Sequence, residues 1–282
     1  MKPNILFLVI DSLRSDKCHG VKKTSITPNL DSLRKNGIYF EQTISSVAST
    51  GIAMSSIFTG LFPFKIGMSG NNFNILDSNI PNFIKTLKES GYATFATAPE
   101  IASDFGLTCD FENPDMSYDN YFSLFDGLGE QIIKKLSSKN FKEPWFFYIH
   151  LNDLHYPIKV QHNFDNEKYG SSNYERQISA IDKWIGEIIK KIDLKKTLIV
   201  LTADHSTDRG IYTLEQEKIK ASFQNNSHPF VGMASKLLSK SISKKLRGFY
   251  VNKKINTKKQ RKAAALKNIS ELNPYEKRIQ SN

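Results

Sequence analysis

Two kinds of apolar pattern alternate along this chain. The first is an unbroken run, seen at Asn4-Ile5-Leu6-Phe7-Leu8-Val9-Ile10, at Pro144-Trp145-Phe146-Phe147-Tyr148-Ile149-His150-Leu151 and at Thr197-Leu198-Ile199-Val200-Leu201. A strand with one wet face alternates apolar and polar residues. These runs do not, so they predict strands of a parallel sheet covered on both faces. The second pattern has helical spacing. Ile178, Ile181, Ile185, Ile188 and Ile192 mark a long helix over 174–192, and a shorter amphipathic helix spans 80–91. Thr27 as N-cap, Pro28 at the first helical position and Gly37 past the end frame another. Residues 51–60 and 124–139 also read as helices, 38–40 and 92–97 as short strands, and 100–123 as irregular. Strands alternating with helices define an α/β fold, a three-layer sandwich with a mostly parallel central sheet. No internal repeat is visible.

Beyond about residue 210 the alternation stops, and charge changes the picture there. The chain of 282 residues carries a formal charge of +11. Residues 236–282 hold 14 of its 39 Lys and Arg and two of its 28 Asp and Glu, a net of +12, which leaves 1–235 near neutral at −1. The division expected from this is a catalytic body over 1–235 and a basic tail over 236–282, helical in part or disordered in part. Val231, Leu238, Ile242, Leu246 and Phe249 can line one face of such a helix, opposite Lys236, Lys240, Lys244 and Arg247. A basic stretch of this kind is either a solvated tail or a surface for an anionic polymer or lipid. No specific nucleic-acid motif accompanies it. Met1 stands two residues before the first strand, without a basic leader or cleavage site, so the chain as written is expected to be cytoplasmic. Cys18 and Cys109 form no CxxC and predict neither a disulfide framework nor a thiolate metal site.

Candidate chemistry lies where the buried runs end. Asp11 follows the first run and Asp204-His205 the last. In open α/β sheets sites form at strand carboxyl ends, so these residues can be aimed at one point. Two oxygen ligands and one nitrogen describe a divalent-cation site of the Mn, Ca, Mg or Zn kind. Each piece also has an ordinary use, Asp11 as a helix N-cap and Asp204-His205 as turn chemistry. A nucleophile working beside a cation is well placed at a helix N-terminus, where free amides favour an anion. Val47-Ala48-Ser49-Thr50-Gly51 enters the helix 51–60 and offers Thr50 or Ser49, unless both merely cap it. After the middle run, Asn152-Asp153-Leu154-His155-Tyr156-Pro157 offers His155 to donate to a substrate oxygen, with Asp153 to hold or orient it.

The same motifs resemble, in order and rough spacing, the alkaline phosphatase–sulfatase superfamily, in its sulfatase-like branch. The resemblance rests on Pro3 to Asp11, on Thr27-Pro28-Asn29-Leu30-Asp31-Ser32-Leu33 with Gly37-Ile38-Tyr39-Phe40, and on Thr59-Gly60-Leu61-Phe62-Pro63 with Gly67-Met68. It continues through Leu87 to Tyr92, His155-Tyr156-Pro157, Ile181-Asp182 with Ile185-Gly186, and Thr202-Ala203-Asp204-His205. It covers residues 3–210 and implies an alkaline-phosphatase-like sandwich holding one divalent metal ion, Mn, Ca or Mg in preference to Zn. It further implies Asp11, Asp204 and His205 as metal ligands, Thr50 as the nucleophile ten residues before Gly60, and His155 as the histidine contacting the transferred group. Departures shape the expected activity. Sulfatases carry Cys or Ser at the nucleophile position, Pro or Ala two residues later and Arg four later, for conversion to formylglycine. Here those positions are Thr50, Ile52 and Met54, and threonine cannot yield that aldehyde. Ser49 would have Gly51 and Ala53 at the same offsets. The aspartate usually doubled after the first strand is Ser12. An unmodified Thr with a single Asp is more similar to the phosphodiesterase and to the phosphoglycerol or phosphoethanolamine transferase relatives. The expected function is thus a metal-dependent hydrolase or transferase of phosphate esters or phosphodiesters through a Thr nucleophile. The alternatives are a sulfate-ester hydrolase, or an inactive member binding anionic polymers through its tail. The family's closing strands and small C-terminal subdomain are not visible after Gly210, as in a truncated or diverged member.

Overall fold

The computed structural model describes residues 2–68, 75–115, 118, 121–138 and 141–207. These all fall within one unit, Met1–Glu217. The expected boundary at 235, the basic tail and its helix lie outside the described residues.

Among the described residues five strands form one sheet: β1 (Asn4–Ile10), β2 (Ala93–Thr97), β3 (Asn113–Asp115), β4 (Trp145–Leu151) and β5 (Thr197–Thr202). The order is β3-β2-β4-β1-β5, and every neighbouring pair is parallel. This is the mostly parallel α/β sheet that the apolar runs predict. Seven α-helices accompany it among the described residues: α1 (Ser15–Cys18), α2 (Pro28–Asn36), α3 (Thr50–Thr59), α4 (Phe83–Glu89), α5 (Glu100–Asp104), α6 (Gly129–Ser137) and α7 (Asn173–Ile189).

Side-chain alternation divides the core into two layers. Leu6, Leu8 and Ile10 of β1, with Phe147, Ile149 and Leu151 of β4, pack against Ile132 of α6 and Ile178, Ile181, Ile185 and Ile188 of α7. Phe7 and Val9, with Phe146 and Tyr148, face Ile52, Met54 and Phe58 of α3 and Ile84 of α4. Each fully buried Ile or Phe contributes about 1.5–3 kcal/mol relative to exposure, so both layers anchor β1 and β4 firmly. β5 is covered less: Ile199 and Leu201 pack on the α7 side, while Leu198 is 53% exposed on the other. The unbroken run at 197–201 predicts two buried faces; among the described residues β5 stands last in the strand order, and one of its faces is exposed.

Local chemistry explains several boundaries. Ser172 caps α7 by accepting from the Glu175 amide, and Asn82 caps α4 by accepting from Lys85, so α4 starts after Pro81 rather than at Ile80. Thr27 precedes α2 as expected, but its side chain makes no cap hydrogen bond. Both oxygens of Asp182 instead receive the Asn29 and Leu30 amides, at 3.1 and 2.8 Å. The stretch expected as one helix over 124–139 is a π turn, Leu124–Leu128, running into α6, because Gly127 takes φ 123°. The region 100–123 contains α5 and β3. Residues 38–40, expected as a strand, are irregular, with Ile38 and Phe40 87% and 75% exposed. Three extended residues become a strand only when another takes up their backbone groups, and none of the five described strands does so. No helix among the described residues is long and apolar enough to cross a membrane.

Candidate metal and nucleophile site

Parallel register brings the candidate residues to one face. Val9 of β1 lies beside His150 of β4 on one side and Thr202 of β5 on the other. Residues two apart on a strand share a face, so Asp11 and Asp204 continue the face of Val9 and His150, on which α3 packs. Thr50 is the first residue of α3. Gly51 lets that helix end close in, since a Cβ there would meet the Phe105 ring at 2.4 Å.

The four residues converge. Thr50 Oγ1 donates to Asp11 Oδ2 at 3.0 Å and lies 3.2 Å from His205 Nε2. One ligand atom from each of Asp11, Asp204 and His205 lies within 4.8 Å of the others, with both carboxylates buried. The backbone holds Asp204 through one oxygen: Oδ1 accepts from the amides of Ser12 and His205, at 3.1 and 2.8 Å. Asp204 Oδ2 is buried, without a hydrogen-bond partner among the described residues, and 3.3 Å from His205 Nε2. His205 Nδ1 is 2.8 Å from the Ser206 carbonyl, which can only accept, so Nδ1 carries the proton. In the neutral ring, Nε2 then turns a lone pair toward an unpartnered carboxylate oxygen and a second carboxylate. Such groups repel unless a positive charge lies among them. A divalent cation with oxygen and nitrogen ligands fits that donor set.

Asp11 is held from several sides. Ser12 Oγ donates to its Oδ1 at 2.6 Å, and Ser12 itself takes φ 61°, a left-handed conformation that sends its amide to Asp204. Tyr174 fixes this turn by donating to the Ser12 carbonyl at 2.7 Å and accepting from the Arg14 amide at 2.9 Å. Burial alone would raise the Asp11 pKa. The His150 imidazole beside it, with Ser12 and His205, reverses that and lowers it to about 2.

The two candidate residues after β4 do not bond to each other. His155 lies exposed in the turn after β4, where its amide donates to the Asn152 carbonyl and its Nδ1 to that of Tyr156. Asp153, expected to orient it, is buried and turned elsewhere, accepting from Ser123 Oγ at 2.6 Å and the Leu124 amide at 3.1 Å. Ser49 is the extended N-cap of α3 and makes no side-chain cap bond. Sequence reasoning missed His150, which is fully buried with Nε2 3.6 Å from Asp11 Oδ2. The available signal was a polar residue at the carboxyl end of an otherwise apolar run.

Comparison with known proteins agrees with this architecture. An ulvan-active sulfatase of Formosa agariphila is 25% identical over 248 residues, 79% of this chain and 48% of that protein. The chain thus spans about half the length of that relative. Among solved structures, the phosphonate monoester hydrolase of Agrobacterium radiobacter is similar with a TM-score of 0.58, at 17% identity, over 73% of this chain and 63% of that one. A protein of the alkaline phosphatase superfamily from Vibrio parahaemolyticus is similar with a TM-score of 0.57, at 18% identity, over 76% of this chain and 57% of that one. The fold is therefore alkaline-phosphatase-like, and because the sulfatase family profile matches residues 3–252, the chain belongs to the sulfatase family.

Proposed function

We propose that this chain is a metal-dependent ester hydrolase or transferase that acts on phosphate esters or phosphodiesters through the unmodified hydroxyl of Thr50. The observation that carries the reading is the position of Thr50 Oγ1, at the start of α3 and between Asp11 Oδ2 and His205 Nε2. Asp11, Asp204 and His205 would hold one divalent cation, Mn, Ca or Mg in preference to Zn. That ion would supply charge that lowers the hydroxyl pKa and offsets the charge developing on the ester oxygens. Asp11 Oδ2 receives the Thr50 proton in a hydrogen bond and so sets the direction of the Oγ1 lone pairs. The first amides of α3 offer donors to an anionic ester group. His155 spends Nδ1 on the Tyr156 carbonyl and keeps Nε2 for the leaving oxygen.

Sulfate-ester hydrolysis is the second reading, favoured by the relative named as a sulfatase. The residues at the nucleophile weigh against it, since threonine cannot become formylglycine. Two measurements separate the readings: bound metal in the purified chain, and turnover of aryl phosphate, phosphodiester and sulfate esters. Phosphoryl substrates should be preferred. Thr50→Ala should lower turnover by about a thousandfold or more while metal binding stays, and mass spectrometry should find no aldehyde at residue 49 or 50. A sulfate preference with formylglycine at Ser49 would establish the second reading, and full activity in Thr50→Ala would remove the nucleophile assignment.

A further inference from the structure

We propose that His150 is a positioning residue for Asp11, held in one tautomer by Tyr148, and that this pair sets the affinity of the site for a divalent cation. The inference rests on the metal reading above and adds to it a layer behind the three ligands. Buried histidines ordinarily have both ring nitrogens partnered. His150 is fully buried, and its Nδ1 lies 2.6 Å from the Tyr148 hydroxyl. Its Nε2 has no hydrogen-bond partner among the described residues and faces Asp11 Oδ2 at 3.6 Å.

The direction of the Tyr148–His150 bond follows from chemistry. Tyr148 is fully buried, and burial first, with Asp204 next, pushes its pKa well above the ordinary value, so the phenol keeps its proton. A protonated phenol can donate or accept. Nδ1 is the one hydrogen-bond partner of this buried hydroxyl among the described residues, so donation is what leaves no buried O–H unpaired, and Nδ1 accepts. The hydrogen of the neutral ring is then on Nε2, toward Asp11. The ring of Tyr148 cannot readily turn away, because Phe7 and Phe111 stack on it at 5.9 and 5.8 Å and Phe58 meets it edge-on at 5.3 Å. Tyr118 pins the other end by donating to the His150 carbonyl.

Asp11 is thus fixed oxygen by oxygen. Oδ1 takes the Ser12 hydroxyl, and Oδ2 takes the Thr50 hydroxyl with His150 Nε2 facing it at 3.6 Å. At 3.6 Å the Nε2 contact is too long for a hydrogen bond, and a carboxylate shift of about half an ångström closes it. A donor behind a ligating carboxylate orients its remaining lone pairs and holds it in place. Removing such a partner typically costs about 10–100-fold in metal affinity.

The test titrates the full chain with Mn(II) alone, following free ion by electron paramagnetic resonance, beside thermal melts without metal. His150→Leu should weaken Mn(II) binding by about 10–100-fold, and Tyr148→Phe, which keeps the stacked ring, by about tenfold. His150→Gln keeps an N–H near the Nε2 position and should restore binding to within a few-fold of the native chain. If His150→Leu does not fold, Tyr148→Phe decides alone, and native affinity in a folded Tyr148→Phe overturns the proposal. Equal weakness of the Gln and Leu variants also overturns it, since the loss would then be one of packing. A native chain that binds no Mn(II) would instead remove the metal reading itself, a result distinct from native binding that the variants leave unchanged.

Discussion

Replacing Asp153 with asparagine should flatten the pH dependence of stability. Asp153 is 8% exposed; its Oδ1 accepts from Ser123 and Leu124, and its buried Oδ2 has no hydrogen-bond partner among the described residues. Burial, helped by the nearby Asp126, outweighs the two hydrogen bonds and raises its pKa from 3.8 to about 6. A carboxyl with a raised pKa binds its proton more tightly in the folded than in the unfolded chain. Its contribution to stability is therefore complete below 3.8 and is lost as pH rises through about 6. That difference corresponds to about 3 kcal/mol, most of it lost between pH 4 and 6. Asparagine keeps an oxygen for Ser123 and Leu124 and does not titrate. Its amide nitrogen adds an unpaired donor, which costs about 1–3 kcal/mol at every pH and so shifts the curve without bending it. Urea unfolding at pH 4, 5, 6 and 7, followed by the fluorescence of Trp145 and Trp184, gives the difference between the two chains. Groups common to both cancel. The variant should gain on the native protein by about 2–3 kcal/mol from pH 4 to pH 7. A difference that stays flat would refute the reasoning, because Asp153 would then be solvated or paired in the native state.

Two further perturbations probe the frame around the site. Asp182→Ala strips the Asn29 and Leu30 amides at the start of α2 of their acceptor and should cost about 1–3 kcal/mol, read as a lower urea midpoint. An unchanged midpoint would mean that those amides find other acceptors. Cysteine reactivity should be one-sided: Cys109 is exposed, whereas burial pushes the Cys18 thiol up to about 12. A chromogenic disulfide reagent at pH 8 should then titrate one thiol per native chain and two after denaturation, and Cys109→Ser should leave the native chain unreactive.

Legibility in the sequence followed the range of the interaction involved. β1 and β4 were plain because strands in the middle of a parallel sheet are apolar on both faces. The convergence of Asp11 with Asp204 and His205 was plain because each follows such a run, and the strand order β4-β1-β5 makes their strands neighbours. Thr50 could be placed because a helix begins there. What stayed hidden depends on partners distant in sequence. Asp182, on α7, replaces Thr27 as the cap of α2, and no local pattern at 27–30 announces this. His150 sits inside an apolar run, where it reads as one more strand residue. Asp153 stands two residues before His155 yet points to Ser123, because both lie past the end of β4, in a turn where strand periodicity no longer sets side-chain direction. Residues 38–40 carry strand-forming side chains but find no strand to pair with among those described.

The conformation of Ser12 governs which amino acids the turn after β1 can carry. At φ 61° a side chain with a Cβ is strained by about 1–3 kcal/mol, least for Asn and Asp, which tolerate this region, and most for β-branched residues. Glycine is free of the strain but has no hydroxyl for Asp11. Serine thus combines a tolerable main-chain strain with a proton to give Asp11, and an ionised carboxylate in its place would fit the main chain but set a second negative charge against Asp11.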